Sequence, residues 1–233
     1  MALVYDTGFE YESVIGDKTI KFKAWTAKNE RDYLELLEKG QGENPEAIGD
    51  KQLFDILIKP CIEDPKLVLS AAEQKKLIID IRKESISDVI IDTIKCDECG
   101  LKTDIEIKID SIMKYVKSDF KEVEAKDLKF NFGPITDNSK KESLKLENGI
   151  VKYIFEDFMM HIISIEINGE VETEFSKKEL EKFINSLPSK IFDKVFEAYQ
   201  EQIDKLDLDY EFECSCGETK IVDYTYIPNF LWA

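Results

Sequence analysis

Apolar and polar positions alternate near both ends of this chain, and apolar residues recur at helical spacing between those ends. Lys18 to Trp25, KTIKFKAW, alternates and predicts a strand, with a further β segment expected near Leu3–Tyr11. Thr26 is placed to cap a helix carrying Tyr33, Leu34, Leu36 and Leu37, which Gly40 ends. The loop GQGENP leads to a second helix with Leu53, Phe54, Ile56, Leu57 and Ile58, stopped by Pro60. Ser70-x-x-Glu73 has the form of a capping box and opens a third helix through Leu77, Ile78, Ile79 and Ile81. Val89 to Ile94 then predicts a strand, and Thr103, Ile105, Ile107 and Ile109 mark one face of the strand that follows. Further on, Lys126 to Phe132 and the polar run TDNSKKES predict exposed strands and loops. Asn148 to Ile163 predicts a buried helix. Ser176-x-x-Glu179 caps a helix ending at Leu187–Pro188, and a last helix carries Ile191, Phe192, Val195, Phe196 and Tyr199. YEFEC and TKIVDYTY close the pattern as two strands.

Cysteines sit at the turns between these terminal strand pairs. Cys96 and Cys99 stand in KCDECG, and Cys214 and Cys216 in ECSCG. Strand, tight turn with two thiols, strand is the pattern of a metal-binding knuckle, and two knuckles offer the four sulfurs of a tetrahedral structural zinc site. Gly100 and Gly217 follow the two pairs, where a backbone turning toward sulfur needs conformational freedom. The competing explanation is a set of unpaired core thiols. The second pair is C-x-C, so its part in the same site is the weaker expectation. One zinc held by Cys96, Cys99, Cys214 and Cys216 would join segments with 114 residues between them and close a loop that is entropically costly without a clip. The expected architecture is α+β, in four parts. A β segment and helical lobe span 1–87, and a discontinuous zinc-ribbon-like β unit is formed by 88–110 and 208–226. A mostly helical insertion spans 111–207, and an aromatic tail 227–233.

Composition narrows the function. The chain has 233 residues, 43% of them apolar, enough for a sizeable core. Its 49 acidic residues against 32 basic ones leave a net charge of −17, a surface that phosphate backbones repel and that favours solubility and a basic protein partner. No nucleic acid is therefore expected as a partner. No window approaches the ~18 apolar residues of a membrane span, and MALVYDTGFEYESV lacks the basic flank and apolar run of a signal peptide. The chain is expected to fold in a cytosol, away from membranes. Catalysis is not expected either. The lone histidine, His161, lies in the apolar run FMMHII, and neither a P-loop nor a G-x-G-x-x-G is present. Four cysteine ligands would close the position a catalytic zinc keeps open. No small-molecule substrate is expected. Cys61, after Pro60, fits a small buried residue.

Several stretches carry a family likeness: FKAWTAKNERDYLELLE, LIKPCIEDP, LIIDIRKESISDVI leading to KCDECG, ISIEINGE, and FINSLPSKIFDKVFEAYQ before the second knuckle. Their order from about residue 18 to 225 resembles the baseplate hub family of T-even-like tailed bacteriophages. The resemblance implies a non-enzymatic hub subunit or assembly protein of the contractile tail. Its partners would be other phage baseplate hub proteins, met in the host cytoplasm during assembly, with the virion baseplate as a destination. The family more often shows C-x-x-C where this chain has ECSCG, and 111–147 carries no family signal. The alternative is a zinc-ribbon adaptor that binds proteins and has nothing to do with tails. The terminal aromatics Phe230, Leu231 and Trp232 fit packing onto the chain's own core and fit a partner anchor equally, and an assembly role favours the anchor.

Overall fold

A computed structural model describes residues 8–40, 54–67, 69–135, 155 and 157–224. The chain divides into two compact units, one from residues 1–67, 71–116 and 205–233, the other from 68–70 and 117–204. The mixed α+β class expected from the sequence holds in both.

In the first unit β1 (Tyr11–Ile15) and β2 (Lys18–Phe22) form an antiparallel hairpin whose inward positions, Ile15, Ile20 and Phe22, are buried. Helix α1 (Ala27–Gly40) follows, with Tyr33 buried and Leu34 exposed. Of the expected second helix, the described residues form a π-helical turn, Phe54–Ile58, closed by the Lys59 amide on Phe54 O at 2.9 Å, and Leu53 lies outside the described residues. Side chains of α1 and its approach take up the carbonyls of this turn: Trp25 Nε1 donates to Leu57 O at 2.7 Å and Asn29 Nδ2 to Ile56 O at 3.1 Å. With those carbonyls engaged and Pro60 next, the helix has nothing to propagate on.

Helix α2 (Ala71–Ser85) buries Leu77, Ile78, Ile79 and Ile81, and packs on β1 and the π-helical turn. Glu73 takes Lys18 Nζ at 2.6 Å, tying α2 to the first hairpin. Arg82, only 1% exposed, donates from Nη1 to Ser87 O at 2.6 Å and fixes the turn into the next strand. That strand, β3 (Val89–Lys95), pairs antiparallel with β4 (Lys102–Lys108). A helical turn, α3 (Ile109–Ile112), leads into β5 (Met113–Val116), which pairs with the first residues of β10 (Lys205–Glu213). β10 also pairs with β11 (Thr219–Asp223), giving a sheet of order β11-β10-β5.

The second unit carries a four-stranded antiparallel sheet, where the sequence predicts a mostly helical insertion with exposed strands near Lys126–Phe132. Its order is β6 (Val123–Ala125), β7 (Leu128–Phe132), β8 (Ile162–Ile167), β9 (Glu170–Glu172). Leu128, Phe130 and Phe132 are buried, so the stretch expected to be exposed is a core strand. The helix expected over Asn148–Ile163 is helical at 157–160, and its residues 148–154 and 156 lie outside the described residues. From Ile162 the chain is strand, because the β-branched run IISIEI fits a pleated surface better than a helix. Asn168 and Gly169, both at positive φ, make the tight turn from β8 to β9.

Helices α4 (Lys177–Ser186) and α5 (Ser189–Gln202) cover one face of this sheet, adding Leu180, Ile184, Val195 and Tyr199 to its core. The capping box at Ser176 is formed as the spacing predicts. Ser176 Oγ accepts from the Glu179 amide at 3.3 Å and Glu179 Oε2 accepts from the Ser176 amide at 2.8 Å. The Ser176 hydroxyl first, and the Ser176 amide after it, bond the Glu179 carboxyl and hold it below its ordinary pKa. Phe130→Ala should cost about 3–5 kcal/mol and Ser176→Ala about 1 kcal/mol, read as loss of stability in denaturant unfolding. A Phe130→Ala protein as stable as wild type would contradict this core.

Candidate metal centre

Both cysteine knuckles grow out of hairpin registers that end one residue before the first cysteine. In the first, Lys95 faces Lys102, the Cys96 amide donates to Leu101 O at 2.8 Å, and the Gly100 amide donates to Cys96 O at 3.1 Å. In the second, Glu213 faces Thr219, the Cys214 amide donates to Glu218 O at 2.8 Å, and the Gly217 amide donates to Cys214 O at 2.8 Å. Gly100 and Gly217 turn the chain at φ +72° and +90°, a region that side chains disfavour. The shorter C-x-C turn thus closes with the same kind of bonds as the C-x-x-C turn.

The two knuckles meet. All four Sγ atoms lie within 4.8 Å of one another, with Cys96–Cys216 at 3.7 Å and Cys99–Cys214 at 3.6 Å. All four are free thiols. A tetrahedral site with metal–sulfur bonds of ~2.3 Å sets its sulfurs ~3.8 Å apart, so the cluster could hold a metal ion with little adjustment. Beneath it lies a small core. Ile94 and Phe212 are buried with Cys96 and Cys214, and Ile105, Tyr210 and Val222 pack against them partly covered. Two polar contacts cross between the hairpins: Lys220 Nζ to Asp97 Oδ2 and Tyr224 OH to Asp92 Oδ2, both 2.8 Å. These pairs were not legible beforehand, since each of the four residues reads as an ordinary polar position on or beside a strand.

Backbone amides also point at the sulfurs. The Cys216 amide donates to the Cys214 sulfur and, joined by hydrogen bonds from the other thiols, brings that thiol down to about 7. For Cys216 the Glu218 amide favours the thiolate, but hydrogen bonds with Cys214, Cys99 and Cys96 outweigh it and push the thiol up to about 12. Cys214 gives up its proton readily, and Cys99 and Cys216 resist following because, against backbone amides that favour the thiolate, their hydrogen bonds with the other thiols favour the protonated form. A bound cation removes that resistance, which is how a crowded thiol cluster favours metal.

The other residues singled out in the sequence behave as structure. His161 is buried, its Nδ1 lies 2.8 Å from Gly133 O, and its ring sits between Phe120 and Tyr199 at 5.5 Å from each. It belongs to the second unit's core. Cys61 is 1% exposed. Phe230, Leu231 and Trp232 lie outside the described residues. Among the described residues, no helix is long and apolar enough to cross a membrane.

Compared with known families, the chain matches the model described as T4 bacteriophage base plate protein over residues 7–232. No curated protein and no solved structure matches it. The match agrees with the phage-baseplate part of the resemblance read from the motif order and disfavours an adaptor unrelated to phage tails.

Burial pushes the Cys61 thiol up to about 12, against a smaller downward pull from Lys23. In the folded protein Cys61 should therefore stay unlabelled by iodoacetamide at neutral pH and react only after unfolding. Cys99 and Cys216, whose thiols are also raised but which are exposed, should be labelled once a chelator is present, so access decides the contrast. Peptide mass spectrometry before and after denaturation checks this, and native labelling of Cys61 at the rate of Cys99 would contradict it.

Proposed function

This chain is a member of the T4 bacteriophage base plate protein family, and from that premise we propose that it helps build the central hub of a contractile tail, by binding other baseplate hub proteins. The observation that carries the proposal is the family match over residues 7–232, which leaves almost none of the chain to a different task. Binding takes place in the host cytoplasm during assembly, and the product is a tail baseplate. The net charge of −17 supports a soluble component that meets a basic protein surface. Its role needs no catalytic turnover of its own. The one histidine is packed in a core and the four clustered cysteines leave no open ligand position.

Zinc is the metal the cluster suits. Four thiolates are soft donors, and zinc accepts tetrahedral sulfur without redox demands. When bound, it supplies a fixed cross-link between the two hairpins, and Cys96, Cys99, Cys214 and Cys216 would be its ligands. The paired hairpins would then form a zinc-ribbon-like unit. The terminal aromatics Phe230, Leu231 and Trp232 are proposed as a partner anchor, because aromatic side chains supply a large share of interface energy.

Elemental analysis of protein purified without chelator should find one zinc per chain. A Cys99→Ser/Cys214→Ser variant should lose the metal and melt at a lower temperature. Metal-free wild-type protein, or a variant with unchanged melting, would remove the zinc from this account.

For the assembly role, phage lacking this protein should fail to build normal baseplates, as seen by electron microscopy and infectivity. Deleting residues 226–233 should weaken complexes with baseplate hub proteins in size-exclusion chromatography while leaving the cysteine-linked fold intact. Mass spectrometry of purified virions tells a retained component from a released assembly factor. Normal infectious tails in its absence would end the hub proposal.

A further inference from the structure

We propose that the cysteine cluster is also an oxidation site, at which hydrogen peroxide converts four thiols into two disulfides crossing between the hairpins, Cys96–Cys216 and Cys99–Cys214. This deepens the zinc reading and rests on it for the reduced state. The first support is proximity. The sulfur contacts of 3.7 and 3.6 Å each join the β3–β4 hairpin to the β10–β11 hairpin. Forming a bond of ~2.05 Å asks each pair to close by about 1.6 Å. The second is exposure: Cys99 and Cys216 are exposed, and Cys96 and Cys214 are buried. Each crossing pair therefore matches one sulfur that an oxidant reaches with one that stands behind it. The third is ring size. Only Ser215 separates Cys214 from Cys216, so a disulfide within that knuckle closes a small, strained ring.

The chemistry balances in two steps per bond. In the zinc-loaded cluster, where Cys216 is held as a thiolate, that sulfur attacks one peroxide oxygen, the O–O bond breaks, and after proton uptake a sulfenic acid and water remain. The Cys96 thiolate then attacks the Cys216 sulfur, the S–S bond forms, and hydroxide leaves as water after taking a proton. Cys99 and Cys214 follow the same course. Overall, four thiolates and two peroxides take up four protons and give two disulfides, four waters and the freed zinc ion. Both bonds span the place where the metal acted, so the hairpins stay clipped after the metal has gone.

The test uses full-length protein with its thiols reduced and its zinc content measured. Hydrogen peroxide is added with a zinc-binding dye present, and the product is digested without reduction and mapped by mass spectrometry. The expected result is complete zinc release, with crossing peptides for both pairs. Melting should stay near that of the zinc-loaded protein and above that of reduced, chelator-stripped protein. In Cys216→Ser only Cys99–Cys214 should form. Should that variant not fold, the wild-type peptide map decides by itself. Pairs within a knuckle, disulfides between chains, or sulfinic acids without cross-links would overturn the inference and leave the zinc reading standing. Crossing disulfides in protein that never held metal would uphold the oxidation site and end the zinc reading.

Discussion

Two β-hairpins from distant parts of the chain meet at four sulfurs, over a small apolar cluster. Around the sulfurs Ile94 and Phe212 are buried with Cys96 and Cys214, and Ile105, Tyr210 and Val222 pack against them partly covered. Full burial of a large apolar side chain is worth roughly 1.5–3 kcal/mol, so Ile94 and Phe212 together provide only a few kcal/mol. The ordering of the two knuckle turns opposes them with ~1–2 kcal/mol per fixed residue. The contact Lys220–Asp97 adds little, since the Asp97 side chain is 74% exposed and surface ion pairs are weak, whereas Tyr224, itself buried, contributes a hydrogen bond to Asp92. The four sulfurs stand together at the ends of both hairpins, where a bound metal would add a cross-link to these contacts. Much else in this unit follows from that grouping: the glycines at positive φ, the amides turned toward sulfur, and the matched ends of the two registers.

The second unit solves the same problem in the ordinary way. Phe130, Phe132 and Phe158 meet Val195 and Tyr199 in a continuous core, with ring centroids 5.2–5.6 Å apart for Phe132–Tyr199, Phe158–Tyr199 and Phe132–Phe158. Offset and edge-on ring pairs of this kind add ~0.5–1.5 kcal/mol each beyond the area they bury. Tyr199 also satisfies its hydroxyl on Asp157 Oδ2 at 2.8 Å, so the large aromatic is buried without an orphaned polar group.

The same contrast explains which parts could be read from the sequence. Local rules worked where local geometry decides. The Ser176 box, α1 and α2, the two knuckle hairpins and the core placement of His161 all follow from spacing within a few residues. The cysteine grouping was legible because metal-ligand spacing is a local pattern repeated twice, even with the second pair shortened to C-x-C. Reading failed where tertiary partners choose between states. Lys126–Phe132 looks exposed because Lys126, Asp127, Lys129 and Asn131 dilute the pattern, yet the period of two puts Leu128, Phe130 and Phe132 on a covered face. IISIEI follows a helical turn directly, and an apolar run does not announce the residue at which helix gives way to strand. The π-helical turn at Phe54–Ile58 depends on Trp25 and Asn29, about thirty residues away.

Long-range pairing also changes what the cysteine cluster has to accomplish. From the sequence, a metal clip would close a loop of more than a hundred residues. In the structure β5 and β10 have already closed it: Val116 faces Lys205, with the inserted residues 117–204 between them. β10 then runs unbroken from that ladder to Glu213, one residue short of Cys214. On the other side only β4 and the short α3 separate Cys99 from β5. The sulfurs are therefore delivered to each other by a rigid strand and a short connection. Loop-closure entropy grows by only ~0.6 kcal/mol per doubling of length, so most of the closing cost falls on the ladder that forms the stem. A metal held there would reinforce a small core at the ends of two narrow hairpins. A site of that kind can be built from a turn as short as C-x-C, because it needs correct placement of four sulfurs more than it needs a long chain to be tied.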